Sequence, residues 1–137
     1  MGKTALVALV AALAPQITAA HVVRHNSIPE GYWGTWVPGA GPCKDGDPSA
    51  MVLSANAYVG PAGSCIVDFV SETPSARGAT YSARLQCSNQ GAQAQQKKTV
   101  VNLIIRPDGT TQIAAGPDFN SLKSYHRCSP SQPSVKQ

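Results

Sequence analysis

Three histidines, seven carboxylates and four cysteines are the side chains of this 137-residue chain with most chemistry to offer. His21 comes first. A chain cut after Ala20 would begin with it, and its α-amine and imidazole could then chelate a metal as in a copper histidine brace. His25 or His126 would be the third ligand. Nitrogen ligands in tetragonal geometry suit Cu(II), which stands at the top of the divalent affinity order. The surroundings of His21 are polar and aperiodic, however, and the plainer reading is an exposed histidine. No resident metal or cofactor is expected.

The carboxylates are Glu30, Asp45, Asp47, Asp68, Glu72, Asp108 and Asp118. Glycoside hydrolysis needs two of them to converge, and most lie in turn-like sequence. Lys44-Asp45-Gly46-Asp47-Pro48 holds the Asp-x-Asp of a calcium loop, but the further ligands and the downstream Glu of that loop do not follow. It reads as a turn. Nucleophilic catalysis needs a base within reach of an activated Ser or Cys. The chain has no Gly-x-Ser-x-Gly elbow, and His126, beside Arg127, reads as a surface or rim histidine. No catalytic residue is expected, and the chain reads as a non-enzyme.

Cys43, Cys65, Cys87 and Cys128 lie 22, 22 and 41 residues apart. No close Cys-x-x-Cys pair seeds a zinc site, so the even set reads as two disulfides. Of the three possible pairings, Cys43–Cys65 with Cys87–Cys128 would tie neighbouring segments. Each bridge would contribute roughly 3 to 4 kcal/mol by chain entropy. The first twenty residues agree with an oxidising destination. Lys3, an apolar run over 4–14, Pro15 and the small residues Thr18-Ala19-Ala20 form a signal-peptide pattern. The run is too short for a membrane anchor, which needs roughly 18 to 20 apolar residues. Removal of 1–20 would leave a periplasmic or secreted protein of 117 residues, enough for one core.

The formal net charge is +4, and the basic residues are scattered apart from Lys97-Lys98. Nucleic-acid binders gather them on one face, so no nucleic-acid partner is expected. Nor is a membrane span, and a monomer is the simplest state. The charge balance names no partner; an envelope protein or a small ligand is the expectation for a scaffold with no catalytic constellation.

The elements that must position these groups are strands. Period-2 patterns alternate with Gly, Pro, Asp and Asn, and no helical stripe appears. In 80–87, Tyr81, Ala83, Leu85 and Cys87 share one face. In 64–70, Cys65, Val67 and Phe69 point inward and Asp68 outward. Segment 99–106 is the most β-branched and pairs with 110–114 through the Pro107-Asp108-Gly109 turn. Segments 32–37, 50–55 and 122–128 complete seven strands, enough to close as a barrel or stack as a sandwich. Residues 21–30 read as a mobile arm, 31–128 as the β-domain and 129–137 as a disordered tail. Trp33 and Trp36 are three apart, so on one strand they face opposite ways. With Trp36 inside, Trp33 lies at a rim.

Gly34-Thr35-Trp36 resembles the Gly-x-Trp opening of lipocalin-like (calycin) barrels. In that superfamily an Arg late in the last strand packs over the Trp and closes the barrel base. The resemblance makes Arg127, in Tyr125-His126-Arg127-Cys128, the partner of Trp36. The order Gly34, Trp36, Cys43, Cys65, Cys87, Tyr125, Arg127, Cys128 also resembles a group of small exported proteobacterial proteins. It implies a lipocalin-like, disulfide-stapled barrel and no activity; calycin-like periplasmic protease inhibitors are the nearest analogy.

The expectation is therefore an all-β exported protein of binding or inhibitor type, with loops 37–46 and 90–96 as candidate contact regions. A structural envelope protein without a discrete ligand and a copper-binding protein through His21 are the alternatives.

Overall fold

The computed structural model describes residues 2, 14–15, 21–88, 98–109 and 111–128. Nine strands form: β1 (Val23–His25), β2 (Gly34–Pro38), β3 (Met51–Leu53), β4 (Ala57–Gly60), β5 (Gly63–Thr73), β6 (Thr80–Ser88), β7 (Lys98–Pro107), β8 (Gln112–Gly116) and β9 (Lys123–Arg127). Strands β2 to β9 pair antiparallel in chain order, and β9 returns to β2, with Trp36 opposite Arg127 and Pro38 opposite Tyr125. The result is a closed eight-stranded meander barrel, an architecture that removes the free edges of an open sheet. The signal-peptide pattern, the 90–96 loop and the 129–137 tail lie outside the described residues, except for isolated positions. No described helix is long and apolar enough to cross a membrane.

The alternation read from the sequence fills the barrel. Trp36, Met51, Leu53, Tyr58, Val67, Leu85, Leu103, Ile105, Ile113 and Ala115 form one buried cluster. On β6, Ala83, Leu85 and Cys87 are all buried and Tyr81 packs against the cluster, as the period-2 pattern requires. The hairpin of β7 and β8 is also present, with Arg106 opposite Ala114 and Pro107 opposite Ile113.

Three expectations are corrected. First, 21–30 is no free arm. Val23, Arg24 and His25 pair with Glu72, Ser71 and Val70 of β5, and the Ile28 N–H donates to Ala55 O at 2.9 Å. Ile28 is only 1% exposed. Residues 23–25 of the segment expected to be mobile are therefore an extra strand paired to the barrel. Second, β5 changes phase. Val67 opposes Leu85, but Phe69 opposes Arg84, so Asp68 is the extra residue of a β-bulge. Val70 turns fully inward, and Phe69 turns outward beneath the Arg24 guanidinium, 3.9 Å from its ring centroid.

Third, the cysteines pair as Cys43–Cys128 and Cys65–Cys87, not as Cys43–Cys65 and Cys87–Cys128. Cys65 and Cys87 are register partners on β5 and β6, with Cα atoms 4.0 Å apart. Cys43 lies in the long 39–50 connection, which is held at the outer face of β9. The Nδ1 edge of His126 meets Gly39 O there, and Cys43 Sγ is 4.0 Å from His126 Nε2.

Candidate functional site

Because β9 is a strand, Lys123, Tyr125 and Arg127 share its inner face. They place one cation at each end of the barrel, and the two ends differ in what surrounds it.

At one end the chain closes on itself. Residues 28–33 cross the base through a short 3₁₀ turn, Glu30–Tyr32. The Arg127 guanidinium donates to Trp33 O at 2.7 Å and to Gly31 O, and lies 4.5 Å from the Trp36 ring centroid. The Trp36 indole N–H donates to Tyr32 O at 2.9 Å, and that of Trp33 to Ile28 O at 2.8 Å. Trp36 is buried and Trp33 half-exposed. Gly34 takes φ +125°, a region that suits glycine alone, and a Cβ there would stand 3.6 Å from the guanidinium. Beside this base, Glu72 accepts from Tyr81 Oη at 3.3 Å and pairs with His25 Nε2 at 2.5 Å. Burial, together with the Glu72 carboxylate, pushes the Tyr32 and Tyr81 hydroxyls above their ordinary pKa. A cleft of about 370 Å³ opens here among Pro29, Tyr32, Tyr81, Gln112 and Arg127. Its titratable groups already hold the closure together.

At the other end the described residues leave an opening. A cavity of about 240 Å³ runs into the barrel there, walled by Met51, Leu85, Val101, Leu103 and Ala115. Tyr58, Tyr125 and Lys123 also line it, with Pro61, Ala62, Pro117 and Ser121 among the loop residues at the mouth. Burial raises the pKa of Tyr58 and of Tyr125, so both phenols keep their protons at neutral pH. Glycines make the mouth possible. A Cβ at Gly60 would lie 2.6 Å from Tyr58 Oη, and one at Gly116 would strike Ser121 O, where the 117–122 connection folds back. The shape is that of a ligand site, a concave apolar wall with few polar groups at one margin.

The other sequence candidates are scattered. His25 is paired with Glu72, His126 lies outside the barrel, and His21 is exposed. No three of His, Cys, Asp and Glu among the described residues come together to hold a metal ion. Asp47 accepts from Ser49 N–H at 2.9 Å and from its hydroxyl at 2.6 Å, which lowers the Asp47 pKa. Its Asp-x-Asp is thus a self-capped turn. Loop 37–46 is tied to the outer wall by Cys43–Cys128. Tyr58 and Lys123 escaped the sequence reading. Lys123 was within reach, since Lys-x-Tyr-x-Arg is a period-2 inner face. Tyr58 was not, because its four-residue strand is framed by Ser, Asn, Gly and Pro. No protein-family model, curated protein or solved structure matches the chain.

Proposed function

We propose that this protein is an exported, non-enzymatic binding protein whose ligand enters the open end of the barrel. The carrying observation is the cavity of about 240 Å³, whose lining is mostly apolar, with Tyr58, Asn102, Ser121, Lys123 and Tyr125 as its polar side chains. Such a hollow stands against the close packing of protein interiors. It lies in a barrel whose opposite end is sealed by Trp36 and Arg127. Export is supported by the signal-peptide pattern of residues 1–20 and by the pairing of all four cysteines, which suits an oxidising compartment.

Titration of the oxidised protein with a library of small apolar fragments, followed by ¹H–¹³C NMR of its methyl groups, tests the binding reading. Saturable shifts at Leu103, Val101 and Ala115 are expected, and Ala115→Phe, which fills the cavity, should abolish them while leaving the amide spectrum folded. A library that yields no saturable shift at those methyls overturns the reading. Intact mass of the exported protein checks the compartment: a chain beginning at His21 with no free thiol is expected.

A further inference from the structure

We infer that the cavity takes a compact monocarboxylate, with the carboxylate at Lys123 and an apolar body no larger than a phenyl ring with two or three carbons. The inference rests on the binding reading above and adds the ligand's charge and size.

The charge follows from the lining. Among the described residues, Lys123 is the only charged side chain on it. The chain carries seven carboxylate side chains. All are among the described residues, and none lines the cavity. The nearest in sequence, Asp118, accepts the Asn120 N–H at 2.8 Å within its own turn. The two ion pairs among the described residues, His25–Glu72 and Arg84–Asp68, leave Lys123 out. Arg127, two positions further along the same inner face than Tyr125, is spent on backbone carbonyls and an indole. Among the described residues the mouth therefore carries positive charge without an ion-pair partner beside low-dielectric walls, which concentrates anions.

The number of charges follows from the count of donors. A lone ammonium balances one negative charge, and the Tyr58 and Tyr125 hydroxyls, kept protonated by burial, add donors to a carboxylate. A phosphate dianion would bring a second charge that no described residue of the lining meets. The size follows from the volume. A dry cavity of about 150 Å³ holds benzene, and this one is about 240 Å³. Apart from the exposed Asn102, the wall of Met51, Leu85, Val101, Leu103 and Ala115 has no hydrogen-bonding side-chain group. A second polar group at the deep end of the ligand would therefore be buried unpaired and rejected.

The test compares 3-phenylpropionate, 3-phenylpropan-1-ol and 3-phenylpropylamine on the oxidised full-length protein, by calorimetry and methyl NMR. The acid should bind at least about tenfold more tightly than the alcohol, the amine more weakly still. Lys123→Met should erase the preference for the acid while the alcohol binds as before, and Lys123→Arg should retain it. Lys123 is exposed, so both variants should fold. If the alcohol or amine equals the acid at the cavity methyls, or Lys123→Met leaves the preference intact, the carboxylate inference falls and the binding reading stands. If none of the three reaches those methyls, while other apolar fragments saturate them, the size and class are wrong. If no fragment saturates them, the binding reading itself fails.

Discussion

The two ends of this barrel are built from the same inward-facing strand and come to opposite results. At the base, Arg127 meets two backbone carbonyls and an indole face. Residues 28–33 cross beneath it, and the side chains interlock. At the mouth, Lys123 stands four residues away on the same face, without an ion pair among the described residues, above a hollow walled by aliphatic side chains. The base spends Arg127 on the fold, whereas at the mouth Lys123 has no ion-pair partner among the described residues. A cation is thus structural or available according to whether the chain supplies its acceptors.

Experiments that break this contrast can be ranked by size. Reduction of both disulfides is the largest. Chain entropy for separations of 85 and 22 residues amounts to about 4.5 and 3.4 kcal/mol. Total stabilities are about 5 to 15 kcal/mol. The reduced protein should lose its near-ultraviolet circular dichroism at 25 °C, and retention of a folded spectrum would contradict this. Next comes Trp36→Ala, which empties the sealed base and should lower stability by about 3 to 5 kcal/mol, read from the denaturant midpoint.

Arg127→Met removes the charged hydrogen bonds and the cation–π contact and should cost about 1 to 3 kcal/mol. Alkaline pH acts on both ends together and more weakly, because three of the four tyrosines, Tyr32, Tyr81 and Tyr125, are only partly buried. Burial raises Tyr32, Tyr58, Tyr81 and Tyr125 above their ordinary value of 10.0. The folded state then holds protons that the unfolded chain releases, so ∂ΔG/∂pH is negative in that window. Their contribution is fully present below about pH 10 and is lost as pH rises through the raised folded values. Midpoints should be flat from pH 7 to 9 and should fall above 10. The smallest effect belongs to Lys123→Met, which should leave the midpoint within about 0.5 kcal/mol of the parent. A loss there as large as that of Arg127→Met would erase the distinction between the ends.

Strand β6 was legible because one of its faces lies in the core and alternation records that directly, and β7 because its run is rich in β-branched residues. Strand β1 was not legible. It exists because β4 pairs with β5 only as far as Ile66, leaving residues 70–72 of β5 open to another strand. Nothing in Val23-Arg24-His25 announces a vacancy on a strand some fifty residues later. The bulge at Asp68 escaped for a related reason: a continuous alternation does not mark where one residue is skipped, and only the partner register on β6 reveals it. The cysteine pairing assumed that sequential cysteines sit on neighbouring strands, but Cys43 is in a connection that folds against β9. The cavity left still less trace. Its walls are ordinary core residue types, and a hollow is a deficit of volume that no single residue encodes.

Local physics, then, carried the strand content, the inward and outward faces of most strands, and the presence of two disulfides. It did so because side-chain alternation and cysteine number are properties of short segments and of composition. Closure of the barrel, the cysteine partners, the turning inward of Val70 and the contrast between a spent Arg127 and an available Lys123 were decided in three dimensions. Each depends on which backbone and side-chain groups from distant segments fill, or fail to fill, the same space.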